Sequence, residues 1–273
     1  MRAMISYVIL ILLAVALLAP FAWMVVASLH PSKAALPSPA NLMPPDGKWH
    51  FENYLKVLTM PDIPFWRFLA NTSFVTVVVV IGQLFVSSLA AYGFSRMHFW
   101  GRDLLFFLFI ATMMIPGQVT MIPVFILVRN FGWLDTYWAL IVPGLSSAFA
   151  IFLLRQFFLG IPKELSEAAR LDGCGDFGIY WRVALPLTKP ALATLAAFSF
   201  VATWTDFFWP LLVTSSMEMR TLEVGLSVFK DSFGGTNWPL QMTAAVIVLI
   251  PVLIVFLFTQ RFFTRGIALT GMK

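Results

Sequence analysis

One carboxylate in this sequence lies where charge is expensive. Asp206 falls inside residues 190–217, a run with no other charged residue, and its neighbours are hydroxylic and aromatic. Ser199 and Thr203 precede it, and Trp204 and Trp209 flank it. Spacings of four and three put Ser199, Thr203 and Asp206 on one face of a helix. Three chemistries fit such a set. The carboxylate can accept bonds from sugar hydroxyls while the indoles cover apolar ring faces, it can accept bonds from a neighbouring subunit, or it can relay a proton. A charge in apolar surroundings costs at least about 2.5 kcal/mol unless partnered, so Asp206 must face the protein interior or water. Gln118 is a second polar candidate, with Thr120, in "MMIPGQVTMIP". A helix broken at Pro116 and Gly117 would free carbonyls there toward a solute path, although kinked packing alone also explains such prolines. Other chemistry is sparse. His30, His50 and His98 are scattered loop residues, and Cys174 is the single cysteine, so no internal disulfide and no cysteine-based metal site can form. No G-x4-G-K-[ST] phosphate loop occurs, and no His, Asp or Glu cluster suits a membrane enzyme. No cofactor or metal is expected in this chain.

These residues need scaffolding, and composition says of what kind. The 273 residues are 60% hydrophobic and 11% charged, less than half the charge of a usual soluble domain. Mean hydropathy is +0.86. A helix needs about 20 apolar residues to cross a bilayer core of roughly 30 Å. Charge-poor segments of that size predict an all-α polytopic membrane protein with six spans, at residues 5–29, 68–95, 104–128, 136–157, 190–213 and 244–263. A β-barrel is excluded because runs such as "SFVTVVVVIGQLFVSSLAA" do not alternate. The first run is too long for a cleavable signal core and should stay as an anchor. Eleven of the eighteen Lys and Arg fall on the side that shares the N-terminus, which predicts both termini in the cytoplasm. The basic balance thus reports topology, and no basic run with interleaved aromatics suggests nucleic acid. Trp49, Trp66, Trp133, Trp138 and Trp238 sit near span ends, where aromatic belts belong. The whole chain, 1–273, reads as one membrane domain.

Two outer segments, 30–67 and 214–243, are long for turns. They either cap the bundle or present a docking surface. The inner segment 160–189 differs. Pro162 suits a first helical turn, and Glu164 and Glu167 complement the dipole at its start. Gly173 stands where a left-handed terminus wants glycine. A helix over 163–172 and a second over 177–184, capped by Asp176 and ended by Leu185 and Pro186, are predicted. Ala168 and Ala169 let another backbone approach. Such a pair fits a plug for a cleft in a partner, or an amphipathic element on lipid headgroups.

A resemblance bears on that choice. Glu167, Ala168, Ala169 and Gly173, then nine residues, then Val183, Leu185 and Pro186, resemble the cytoplasmic signature of bacterial ABC importer permeases, E-A-A-x3-G-x9-I-x-L-P, with Val183 for the usual Ile. "FENYLKVL", "FLANTSFVT", "FVATWTDFFWPLL" and "PVLIVFLFTQRFFTRGI" look like the shorter, maltose-type partner of the carbohydrate-uptake group. Thr205 departs from the usual Asn, and the ending "GIALTGMK" is shorter than the usual G-A-V-K-G. The resemblance implies a type I importer permease fold in the bacterial plasma membrane. It implies a heterodimer with a second permease, a separate ATP-binding subunit dimer carrying ATP and Mg, and an extracytoplasmic solute-binding protein. Glu167 would pair with a basic group in the ATPase groove, the two alanines would permit close approach, and Gly173 would set the helix angle. The expected cargo is a sugar or sugar-like solute. Glycerol phosphate or a polyamine is the alternative cargo, and an ion-driven secondary carrier is the alternative class.

Overall fold

A computed structural model describes residues 2–32, 36–38, 42–232 and 237–270. Part of the proline-rich outer loop, the breaker at Gly234 and Gly235 and the tail residues Gly271, Met272 and Lys273 lie outside these. Among the described residues the chain is all helix, without a strand. In order come α1 (Arg2–Ser28), α2 (Glu52–Leu58), α3 (Phe65–Arg96), α4 (Arg102–Ala111), α5 (Gly117–Asn130), α6 (Tyr137–Ile141) and α7 (Ala148–Leu159). There follow α8 (Lys163–Leu171), α9 (Asp176–Ile179), α10 (Leu185–Leu187), α11 (Lys189–Trp204), α12 (Phe208–Val213), α13 (Leu222–Ser232) and α14 (Trp238–Thr270). Among the described residues four stretches are long and apolar enough to cross a membrane, and the number is six where each of two bent pairs counts as one span.

Three of the predicted spans are interrupted, the first at the Pro116–Gly117 break that the sequence suggests. α4 and α5 meet at 105°. Pro116 excludes helical backbone at the residue before it, and Ile115 is extended at φ −88, ψ 119. The Pro116 carbonyl then accepts Val119 N–H at 2.9 Å to start α5. Between α6 and α7 a 3-10 turn containing Pro143 ends at Leu145, and Ser147 restarts the helix by accepting Ala150 N–H at 3.3 Å. α11 stops at Trp204, and α12 starts three residues past Thr205. Pro20, Pro123 and Pro251, by contrast, sit within continuous helices.

The chain divides into two compact units. One comprises residues 1–70 and 220–251, the other 71–219 and 252–273. In the first, the carbonyls that α1 frees at its end are paired by side chains. Asn53 Nδ2 donates to Ser28 O at 2.9 Å and to His30 O at 2.8 Å, and Thr243 Oγ1 donates to Ser28 O at 3.1 Å. Asn53 and Thr243 are fully buried. α13 approaches α3 through Gly225, where any Cβ would lie 2.0 Å from Phe68 Cδ2. In the second unit a core of Tyr92, Leu154, Phe158, Tyr180 and Leu195 is interleaved with Ala91, Ala150, Ala184 and Ala191. The alanines let α3, α7 and α11 come close, the usual means of packing apolar helices without a hydrophobic driving force.

Two outcomes test this description. Gly225→Ala places a methyl group on a fully buried ring, a clash worth about 1–3 kcal/mol. The unfolding midpoint of the detergent-solubilised protein should drop by roughly 2–10 °C, while Gly117→Ala, with nothing within 4 Å of its Cβ, should leave it in place. The second concerns His50, whose ring bonds Glu52 at 2.6 Å and Asp46 at 2.7 Å. Those bonds, Glu52 first, raise the His50 pKa, and His50 in turn lowers those of Asp46 and Glu52. The imidazolium's stabilising share is complete below its ordinary 6.5 and fades as pH rises through the raised value. The carboxylates' share is present above their ordinary values, at most 4.5, and fades as pH falls through the lowered ones. Protection of the amides over residues 47–53, taken relative to the intrinsic exchange rate at each pH, should therefore be greatest between these two ordinary values, and His50→Gln should abolish that maximum.

Candidate functional site

Two constructions in the second unit have functional geometry, and α11 runs from one to the other. The first is the elbow after α7. Helix α8 ends in a complete Schellman turn: Gly173 N–H donates to Arg170 O at 3.0 Å and Cys174 N–H to Ala169 O at 2.9 Å. Gly173 has φ +84, a conformation that a side chain rarely adopts. Arg170 Nη2 then pairs with Asp176 Oδ1 at 2.6 Å across the turn. Asp176 thus lies in the first turn of α9 as an ion-pair partner, and not as the predicted cap. The second helix is longer than predicted, running from Asp176 to Leu187 and so through Leu185 and Pro186, where an end is expected. It widens into a π turn at Tyr180–Ala184, directly before Pro186, which has no N–H to return to the Arg182 carbonyl.

The elbow's base is tightly held. Arg96, at the end of α3, donates through Nε to Phe158 O at 3.1 Å and through Nη2 to Phe158 O and Ile161 O, so it caps α7. Arg155, on α7, returns the contact by donating to Phe94 O at 3.2 Å, and its guanidinium lies 4.0 Å from the Phe106 ring centroid. Each cation thus meets the negative end of the other's helix. Tyr180 is 1% exposed, shares a hydrogen bond with Ser88 at 2.8 Å and packs on Tyr92 at 5.3 Å. The tip is the opposite. No residue of α8 is buried, and Leu171 is 91% exposed. Glu167, Ala168, Gly173 and Pro186 are exposed, while Ala169, Val183 and Leu185 are partly covered.

The second construction is a cleft of about 300 Å³ lined by α3, α6, α7, α11 and the break after Trp204. It gathers Ser199, Thr203, Asp206 and Trp209. Asp206 is outside regular helix, and its Oδ1 accepts Trp209 N–H at 3.4 Å, tying down the start of α12. Trp209 donates its indole N–H to Ala139 O at 2.8 Å, which fixes the ring. Trp204 does not join them: it is 3% exposed and stacks on Phe200 at 5.3 Å. Gln118 is exposed on the first turn of α5, away from the cleft lining.

A residue that sequence reasoning missed is Gln83. It accepts from Ser199 Oγ and donates to Gly144 O at 3.1 Å, joining α3 to α11 and to the 3-10 turn. The signal was present, an amide inside the uncharged run "VVVVIGQLF", but no spacing tied it to Asp206. Asp135 was also passed over. At φ +59 it accepts the backbone N–H groups of Ser215 at 2.9 Å and Ser216 at 3.1 Å, and so holds the far end of α12. Burial raises its pKa, and the Ser215 and Ser216 bonds outweigh this, so the carboxyl is held below its ordinary range.

The chain is similar to known proteins in sequence and in fold. A family model described as the binding-protein-dependent transport system inner membrane component matches residues 83–269. The arabinooligosaccharides transport system permease protein AraQ of Bacillus subtilis is 35% identical over 255 residues, covering 93% of this chain and 90% of that protein. The sn-glycerol-3-phosphate transport system permease protein UgpE of Yersinia pestis is 38% identical over 205 residues, 75% of this chain and 73% of its own. A solved bacterial ABC transporter involved in the import of the acidic polysaccharide alginate superposes with TM-score 0.81 at 30% identity, covering 96% of both chains. A chain from the alginate transporter in complex with an alginate pentasaccharide-bound periplasmic protein shares the fold, with TM-score 0.64 at 14% identity.

The Arg96 clamp generates a prediction. Charged hydrogen bonds of this kind contribute about 1.5–3 kcal/mol. Arg96→Met should speed amide exchange at the end of α7 and through α8 by one to two orders of magnitude, roughly the equivalent in rate. Arg96→Lys should recover only part, because an ammonium cannot fork across two carbonyls.

Proposed function

This chain belongs to the family of binding-protein-dependent transport system inner membrane components, and from that premise we propose that it is the permease subunit of a sugar-importing ABC system. The observation that carries the coupling role is the contrast within the elbow. Its base is clamped by two arginines and a buried tyrosine, while its tip, α8, has no buried residue and ends on a left-handed glycine. A short helix with an exposed Leu171 at its end suits the groove of a separate ATP-hydrolysing subunit. In that reading Glu167 pairs with a basic group of the groove, Ala168 and Ala169 seat against its wall, and Gly173 sets the angle. Val183, Leu185 and Pro186 shape the return into α11. Closure of the ATPase dimer moves the tip, and the stiff base passes that motion along α11, which is continuous over 16 residues, to Ser199 and Thr203 in the cleft.

A second, similar permease completes the path. The apolar length of α1 is exposed on this chain, which suits cover by lipid and by that subunit. A solute-binding protein delivers cargo at the outer segments, and both termini face the cytoplasm. ATP and Mg belong to the partner. The cargo is a sugar or sugar-like solute, as the names of the arabinooligosaccharide and alginate relatives suggest, and the UgpE relative keeps glycerol phosphate as the second reading. Uptake should stop on ATP depletion and persist with a protonophore, the reverse of an ion-driven carrier.

Gly173→Val tests the lever. A non-glycine residue in left-handed backbone costs about 1–2 kcal/mol, and β-branching adds to it. Co-purification of the ATPase in mild detergent should fall roughly 5–30-fold, the equivalent of that energy, with membrane insertion unchanged. Unaltered co-purification and uptake would refute the assignment.

A further inference from the structure

We infer that the cleft in this chain passes an uncharged polyhydroxylated solute and rejects anionic ones. The inference rests on the importer reading above and narrows its cargo against two of the relatives, whose named solutes carry phosphate or carboxylate.

Its basis is the cleft's own lining. Gln83, Ser147, Ser199, Thr203, Asp206 and Trp209 supply every polar group, and the remainder is aliphatic, aromatic or glycine. Among the described residues no Lys, Arg or His lines it. A phosphate or uronate entering there would leave water without a cation to receive it, beside a carboxylate of like sign. Two unit charges about 4 Å apart in partly buried surroundings repel strongly enough to disfavour occupancy at least about a hundredfold. No ion pair neutralises Asp206 among the described residues.

The same groups suit neutral hydroxyls. Asp206 Oδ1 accepts from the Trp209 amide at 3.4 Å, which orients a carboxylate that lines the cleft. Ser199 and Gln83 are held by each other and by Gly144 O, so they present fixed dipoles and do not collapse into the space. Trp209 is anchored through its indole N–H and offers a rigid ring for the apolar face of a pyranose or furanose. A carboxylate, hydroxyls and a fixed aromatic ring, without a cation, recognise donors and C–H surfaces and not anions.

The test uses the whole importer, this chain with its native permease partner, ATPase and binding protein, in proteoliposomes. ATP-driven uptake is measured for three probes, arabinotriose, sn-glycerol 3-phosphate and an alginate trisaccharide, each at a concentration that saturates the binding protein, so that delivery is not limiting. Arabinotriose should be taken up at least about a hundredfold faster than either anion. Asp206→Asn keeps an oxygen for the Trp209 amide and removes the charge, and it should bring that ratio down by at least tenfold with the assembled complex unchanged. Uptake of an anion at a rate comparable to arabinotriose, or a ratio unmoved in Asp206→Asn, overturns the inference and leaves the importer reading intact. Absence of ATP-driven uptake for all three probes overturns both.

Discussion

A backbone group freed where a helix stops cannot be left unpaired in an apolar surrounding, and this constraint organises most of the polar residues in the chain. Several helix ends and breaks have a side-chain partner of their own. The end of α1 is paired by Asn53 and Thr243, the end of α7 by Arg96, and a carbonyl near the end of α3 by Arg155. Within the apolar stretches Gln83 serves Gly144 O, Trp209 serves Ala139 O, and Asp206 serves the start of α12. Outside them Asp135 holds two successive amides beyond α12. Breaks that would be ruinous in hydrocarbon become tolerable because a nearby side chain replaces the lost helical bond.

That arrangement leaves few polar groups for function, and their placement is informative. Asp206 braces the start of α12 and Ser199 holds Gln83, and all three side chains border the cleft. The elbow follows the opposite plan. Its bonds are concentrated at the base, around Arg96, Arg155 and Tyr180, and its exposed tip is stabilised by little beyond the Schellman turn and the Arg170–Asp176 pair.

How much of this was legible varies with the kind of physics involved. Span number and fold class follow from counts of charge and apolar length, quantities that are local in the chain. The elbow was readable because its determinants are adjacent: glutamate early, alanines in the middle, glycine at the turn. Even there the π turn and the pairing of Asp176 with Arg170 escaped, since a widened turn depends on how Tyr180 is drawn into the core. The set around Asp206 was partly readable. Regular spacing grouped Ser199, Thr203 and Asp206, and they do border one cleft, though by way of a break that the periodic pattern did not contain.

Sequence alone therefore determined that the chain is an all-helical, multi-span protein with a glycine-terminated polar elbow and a carboxylate in an apolar run, because composition and i, i+3, i+4 spacing carry that information. Only the tertiary structure decided that Gln83 belongs with Ser199, that Trp209 and not Trp204 faces the cleft, and that Arg96 and Arg155 cap each other's helices. Those pairings join residues about 60 to more than 100 positions apart. Which partner a side chain meets at such separations is settled by how the helices pack, and that depends on all of them at once.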